Sequence, residues 1–323
     1  MNTMADERWI WMDGACVPWH AAQVHVLSHT LHYGLGVFEG LRVYATDAGP
    51  AIFRLADHTR RLVESAHIMG IVLPYSKEVL EAAQIETVRR NRLDAGYLRP
   101  LAFLGAGGAG LDPHGARVHV AIACWPWGAY LGADAASRGI RVKTSSFARH
   151  HVNVQMCRSK SVSTYANSSL ATREAKADGY DEALLLDTEG FVAEGPGENL
   201  FIVRDGLLIE PEIQSALDGI TRRTIHALAA DAGYRVLARR VTRDEIYVAD
   251  EAFYCGTAAE IVPIVELDRR RIGNAAPGEV TRSLQQRFAA CVRGRDDRYR
   301  SWLTMVDAFG GSPSEAALPR SDA

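Results

Sequence analysis

The chain has 323 residues, 47% hydrophobic and 23% charged, with a formal net charge of −3. That composition describes a globular protein with room for one large core or two ordinary ones, and it excludes a disordered chain. The near-neutral balance gives no reason to expect nucleic acid or a membrane as partner.

Residues 1–130 alternate strand-like runs with two helix patterns. In "ADHTRRLVESAHIMG" Asp57 suits the cap, and Leu62, Ala66 and Met69 share a face. In "YSKEVLEAAQIETVRRNRL" Ser76 suits the cap, with Val79, Leu80, Ala83 and Val88 turned inward. "RVHVAIACW" is short, apolar and rich in β-formers, hence a buried strand. The small and polar residues of 130–139 are expected to link two domains, 1–130 and 140–306. Beyond them come the strand "IRVKTSSF" and a helix in "STYANSSLATREAKADGY" that ends near Gly179. Hairpins follow with turns at 188–190 and 204–206, then a helix in "GITRRTIHALAADAGY". Pro277 suits the first turn of a last helix, and residues 307–323 are expected to be disordered.

The five cysteines form no C-x-x-C pair, which argues against a zinc ribbon or a disulfide framework. "MNTMADERWIW" lacks the basic region and apolar run of a signal peptide, and no run approaches the roughly 20 apolar residues of a membrane span. The cytoplasm is the expected compartment.

Two motifs invite readings that their context does not support. "GAGGAG" at 105–110 matches G-x-G-x-x-G, but Leu111-Asp112-Pro113 follows where a dinucleotide site needs a helix, so a loop is expected. His25, His29 and His32 have helical spacing but no acid among them; imidazoles bonded to backbone are expected rather than a metal.

Lys160 is one of only four lysines, set in "MCRSKSVSTYANS" five positions before Tyr165. Unlike arginine, a lysine amine can lose its proton and condense with a carbonyl. In "DTEGFVAEGPGENLFIV", Glu194 ends a strand and enters a glycine-rich turn. It is either a solvated turn residue or a carboxylate facing a cofactor nitrogen, with Glu198 and Asn199 in support. Two loops suit phosphate: Gly219, Ile220 and Thr221 before a helix, and the turn of Gly256, Thr257, Ala258 and Ala259. Arg61, expected on an exposed helix face, either supplies countercharge or is simply solvated.

Taken in order, "VHVLSHTLHYGLGVFEGLRVY", "YLRPL", "WPWGAYLG", "EGPGENLF", "GITR" and "CGTAAEI" resemble the branched-chain-amino-acid aminotransferases, class IV enzymes dependent on pyridoxal 5'-phosphate. The resemblance runs from about Trp9 to Trp302. It implies an α/β architecture of mixed or antiparallel sheets, the two-domain fold type IV, with the cofactor in the interdomain cleft. It makes Lys160 the lysine bonded to the cofactor, Tyr165 the partner of the phenolic oxygen and Glu194 the partner of the pyridine nitrogen. Arg61, Ile220, Thr221, Gly256 and Thr257 fall on phosphate-binding positions. Tyr97 with Thr257 and Ala258 resembles the α-carboxylate contacts, and Arg99 with Tyr130 the receptor for glutamate's side-chain carboxylate. Phe38 lies with the apolar wall, and Tyr33 is expected to reach across from a second subunit.

The activity so implied is reversible ping-pong transamination of L-leucine, L-isoleucine and L-valine with 2-oxoglutarate by a homodimer or homohexamer. Amino and 2-oxo acids are then the small-molecule partners. D-amino-acid or amine aminotransferases and aminodeoxychorismate lyase share the fold and are the alternatives. The chain departs from the family pattern at Ser159 and Ser163, in "RHHVNVQMCR" and in "IEPE". Ser163 is expected to lie close to the ring or the substrate.

Overall fold

The structure, a computed structural model, describes residues 8–107 and 110–306. The first part comprises β1 (Trp9–Met12), β2 (Ala15–Pro18), α1 (His29–Tyr33), β3 (Gly36–Phe38), β4 (Leu41–Thr46), β5 (Gly49–Phe53), α2 (Leu55–Ile68), α3 (Lys77–Arg90), β6 (Gly96–Leu104) and β7 (Val118–Trp125). The second begins with α4 (Ala135–Arg138), β8 (Ile140–Thr144), α5 (Tyr165–Ala177), β9 (Glu182–Leu186) and β10 (Val192–Glu194). It continues with β11 (Asn199–Arg204), β12 (Leu207–Pro211), α6 (Ile220–Asp231), β13 (Val236–Arg239), α7 (Arg243–Tyr247) and β14 (Glu251–Gly256). The last elements are β15 (Glu260–Leu267), β16 (Arg270–Arg271), α8 (Glu279–Val292) and β17 (Leu303–Met305).

Among the described residues these strands form two sheets. The eight-stranded sheet runs β17-β5-β4-β6-β7-β1-β2, with β3 also on β6, and its pairings are antiparallel. The nine-stranded sheet runs β10-β9-β8-β15-β14-β11-β12-β13 with β16 on β15. It is mixed: β8 lies parallel to both β9 and β15, and β12 parallel to β13. β17 joins the first sheet through Leu303–Phe53 and Met305–Ala51, although the sequence assigns those residues to the C-terminal unit.

The second sheet is covered on both faces, and the period-two alternation of its strands shows how. Leu200 and Ile202 of β11 join one core with Ile140, Val142 and Tyr254. Phe201 and Val203 point the other way, into a core with Ile225, Leu228, Leu284 and Phe288 of α6 and α8. The fully buried Phe201 and Phe253 stack there at 5.3 Å; each such ring stabilises the fold by about 1.5–3 kcal/mol. Phe53 of the first sheet belongs to that same core, so the two sheets share apolar packing.

Two local expectations need correction. α2 begins at Leu55, because Arg54 adopts φ 55° and turns the chain directly out of β5. Asp57 therefore lies in the first turn, where it accepts from Arg54 Nε at 2.7 Å, and is not the cap. Ser76 does cap α3 by accepting from the Val79 amide. Pro277 stays outside α8; Gly278 precedes the helix, and the Glu251 carboxylate accepts from the amides of Val280 and Thr281 at 3.0 and 2.8 Å. An alanine at 278 would put its Cβ 1.8 Å from Glu251 Cδ.

The expected linker 130–139 contains α4. The three histidines bond to backbone: His29 and His32 meet the carbonyls of Leu111 and Val26, and His25 Nδ1 accepts from the Leu27 amide. Part of the "GAGGAG" loop and the whole 307–323 tail lie outside the described residues. No helix among the described residues is long and apolar enough to cross a membrane.

Candidate active site

A cavity of about 510 Å³ opens where residues from both sheets converge. Nearly every residue singled out in the sequence lines it: Lys160, Tyr165, Glu194, Arg61, Ile220, Thr221, Gly256, Thr257, Ala258, Phe38, Tyr97, Arg99 and Tyr130. Tyr33 does not line the cavity of its own chain; it is 47% exposed, packed against the His29 ring at 4.7 Å.

Lys160 is held by its backbone. Its amide donates to Ser65 Oγ at 3.0 Å, and its carbonyl accepts from the Phe38 amide at 3.1 Å. Ser159 Oγ adds a bond to the Ser65 carbonyl, so α2 and β3 together clamp the lysine. The side chain then reaches Tyr165, with Nζ donating to Oη at 2.5 Å and lying 4.8 Å from the Phe38 ring centroid. Among the described residues Lys160 makes no ion pair. Ser163 does not reach the cavity: Oγ bonds to Ser161 Oγ and Gln155, and a Cβ at Gly34 would stand 3.1 Å from Ser163 Cβ.

Glu194 is buried at the end of β10. Oε2 accepts from the Leu217 amide at 3.2 Å and from Asn199 Nδ2 at 3.5 Å. Oε1 faces Arg149 Nη2 at 2.6 Å, an ion pair that leaves this oxygen without an aligned hydrogen-bond donor. Burial pushes the Glu194 carboxyl up, against the opposing pull of Arg149, the Leu217 amide and Lys160. Asn199 also donates to the Leu217 carbonyl at 2.9 Å, so it ties Glu194 to the loop before α6. Only glycine fits beside it, since a Cβ at Gly219 would lie 2.0 Å from Asn199 Oδ1. Glu198 does not support Glu194; its Oε2 folds back onto the Gly197 amide at 3.0 Å. Burial and the neighbouring Glu182 hold the Glu198 carboxyl well above the usual carboxylate range.

Arg61 is buried, not exposed, because the inner face of α2 packs over the fully buried Glu39. Nε and Nη2 of Arg61 donate to the Glu39 oxygens at 2.5 and 3.0 Å, and Nη1 donates to the Asp218 carbonyl at 3.0 Å. His58 Nδ1 donates to the same carboxylate at 2.7 Å. Burial raises the Glu39 carboxyl, but Arg61 and His58 outweigh it and hold the group far below its ordinary value. Beside this trio Ile220 and Thr221 open α6, where the first amides of a helix have no intrahelical acceptor. Such an end draws an anion.

Tyr97 and Arg99 are two apart on β6, hence on one face. The Tyr97 hydroxyl occupies the space above Gly40, where a Cβ would come within 1.7 Å of it. The Arg99 guanidinium lies 4.7, 5.2 and 5.9 Å from the rings of Phe38, Tyr97 and Trp125. Its buried Nε has no hydrogen-bond partner, and among the described residues Arg99 makes no ion pair. Tyr130 stands at the rim, edge-on to Trp127 at 5.8 Å.

Sequence reading missed Arg149, Glu39 and His58. No motif spacing marks them, because each matters through a distant partner that only the fold supplies: His58 and Arg61 on Glu39, and Arg149 on Glu194. An amine without an acid, a buried carboxylate with an open lone pair and an anion cradle around one cavity fit pyridoxal 5'-phosphate, which offers an aldehyde, a ring nitrogen and a phosphate.

Comparison with known proteins agrees. The family model for amino-transferase class IV matches residues 36–267. A branched-chain-amino-acid aminotransferase of Pseudomonas aeruginosa is 52% identical over 297 residues, 92% of this chain and 97% of that one. The crystal structure of the T.th. branched-chain amino acid aminotransferase with pyridoxamine 5'-phosphate superposes with a TM-score of 0.91 at 48% identity, covering 93% of this chain and 99% of that one. Its complex with N-(5'-phosphopyridoxyl)-L-glutamate gives 0.90 at 47% identity and the same coverage. The chain belongs to the class IV aminotransferases and, within them, to the branched-chain-amino-acid aminotransferases.

Proposed function

We propose that this chain catalyses reversible transamination of L-leucine, L-isoleucine and L-valine with 2-oxoglutarate, using pyridoxal 5'-phosphate. The observation that carries the reading is one cavity holding the Lys160 amine bonded to Tyr165, the buried Glu194 and, without an ion pair among the described residues, the Arg99 guanidinium. When bound, the cofactor supplies an electron sink for the negative charge left on the substrate Cα.

The protein's own groups do the rest. Lys160 Nζ would hold the cofactor and, with substrate in place, its amine would serve the Cα proton as general base and then acid. Tyr165, already on Nζ, keeps the amine aimed and would bond the cofactor's phenolic oxygen. Glu194 keeps the ring nitrogen protonated, with Arg149 and Asn199 fixing its orientation. Arg61, Ile220, Thr221, Gly256 and Thr257 hold the phosphate. Tyr97, Thr257 and Ala258 take the α-carboxylate, and Phe38 lines the apolar wall that accepts a branched side chain.

The same pocket admits glutamate because a buried carboxylate must be paired, and Arg99 with Tyr130 at the rim provides that pairing. Tyr33 completes the site of a neighbouring subunit in a homodimer or homohexamer. The two sheets correspond to two domains that meet near residues 130–139, and the enzyme works in the cytoplasm.

The test is a half-reaction on the cofactor-loaded protein. L-Leucine without an acceptor should bleach the lysine-bound cofactor's absorption and release one equivalent of 4-methyl-2-oxopentanoate. A band unmoved by L-leucine but shifted by a D-amino acid or a simple amine would contradict the reading.

A further inference from the structure

Arg42 has no place in the machinery described above, yet it is 8% exposed and bonded only to backbone carbonyls from two separate loops. Nη1 donates to the Trp127 carbonyl at 3.0 Å and Nη2 to the Gly128 carbonyl at 3.0 Å. Nη2 also donates to the Ala258 carbonyl at 2.8 Å, and Nε makes a longer bond to the Thr257 carbonyl at 3.4 Å. One guanidinium on β4 of the first sheet thus grips the β14–β15 turn of the second and the loop after β7.

In a trans peptide the C=O and the following N–H point in opposite directions. Carbonyls of Thr257 and Ala258 drawn toward Arg42 therefore send the amides of Ala258 and Ala259 the other way. Thr257 and Ala258 line the cavity while Arg42 and Ala259 do not, so of the two the Ala258 amide is the one turned toward the cavity. The positive charge also polarises both peptides and strengthens their amides as donors.

A second tether lies two residues along the same face of β4, where Tyr44 Oη donates to Glu260 Oε1 at 2.9 Å. Glu260 ends the turn at φ 61°, a conformation that L-residues avoid unless held. Arg42 also stands opposite Tyr97 in the β4–β6 register, and the Trp127 ring, whose carbonyl it fixes, packs edge-on against Tyr97 at 4.5 Å.

We propose that Arg42 is a positioning residue that aims the Ala258 amide at the substrate α-carboxylate by fixing the Thr257–Ala258 turn, with Tyr44 as the outer support of the same turn. The inference rests on the substrate reading given under Proposed function.

The test uses cofactor-loaded protein and 4-methylvaleric acid, which keeps leucine's carboxylate and chain but lacks the amine, titrated by the cofactor's absorption. Arg42→Met should weaken this acid on the order of 10- to 100-fold, the range for lost hydrogen bonds to a charged group. Cofactor retention, read by dialysis and the absorbance of released cofactor, should fall less, since Arg61, Ile220 and Thr221 lie off the gripped turn and only Gly256 and Thr257 are reached through it. Arg42→Lys, one point charge for four spread carbonyls, should lie between. Tyr44→Phe, which removes only the outer support and no bond to the carbonyls, should weaken the acid by about threefold.

Unchanged affinity for 4-methylvaleric acid in Arg42→Met would overturn the proposal, as would equal losses of acid and cofactor. If Arg42→Met does not fold, unchanged affinity in both Arg42→Lys and Tyr44→Phe would overturn it. Failure of the wild-type protein to bind the acid would strike the substrate reading itself.

Discussion

The two ends of the cavity handle charge differently. At the Arg61 end every charge is already answered by protein: Arg61 by Glu39, Glu39 also by His58, and Glu194 by Arg149. At the Arg99 end a guanidinium sits among aromatic rings with no acid beside it among the described residues. A permanent ligand favours the first arrangement, because a prepaired cradle needs no rearrangement when it fills. A site that must accept leucine and glutamate in turn favours the second, because a fixed acid on Arg99 would repel the incoming carboxylate. On the proposed reading, cofactor phosphate and ring nitrogen belong at the first end and side-chain discrimination at the second.

The comparison is broken most severely at Lys160, where the ends meet. Lys160→Ala should reduce turnover by about 10³-fold or more, as expected for loss of the proposed general base, while leaving thermal unfolding near wild type because the backbone holds its place. Residual activity within tenfold of wild type, measured in steady state, would remove Lys160 from the chemistry.

Next is the prepaired end. Glu39→Gln strands Arg61 without its carboxylate, which should cost about 3–5 kcal/mol of stability in chemical denaturation and loosen cofactor binding. The substrate end depends on Gly40 for a steric reason. Gly40→Ala would place a Cβ 1.7 Å from the Tyr97 hydroxyl, so the tyrosine must move. KM for leucine and for 2-oxoglutarate should both rise about tenfold, a loss of roughly 1.4 kcal/mol of binding, with the cofactor retained.

The smallest effect concerns the wall between the ends. The Glu198 carboxyl is pushed by burial and by Glu182 from 4.5 to about 8. In that window the folded protein binds a proton that the unfolded chain has released, so this group's contribution to stability falls as pH rises from 4.5 to about 8. Glu198→Gln should flatten that slope in urea titrations run across the window; an unchanged slope would show that the carboxyl ionises normally.

How much of this was legible in the sequence follows from the range of each interaction. "EGPGENLF", "GITR" and "CGTAAEI" are short loops whose shape depends on neighbours in the chain, and the structure brings their residues to one cavity as expected. Helix periodicity found α2 and α3 but could not say what lies across from Arg61, and so misjudged its exposure. Glu39, His58 and Arg149 carry no spacing signal, because a buried ion pair is defined by what the fold sets beside it. β17 was missed as part of the first sheet for the same reason: three residues have no periodicity, and their partner β5 lies some 250 positions earlier. Ser163 looked close to the chemistry by proximity to Lys160, yet its side chain turns toward Ser161 and Gln155.

The most direct test of the two-ended account is a pair of single-turnover half-reactions, L-glutamate and L-leucine, on wild type and Arg99→Met. The account predicts that glutamate slows on the order of 100-fold, the loss expected when a buried carboxylate has no paired cation, while leucine stays within about threefold. Equal losses for both amino acids, or none for glutamate, would contradict it.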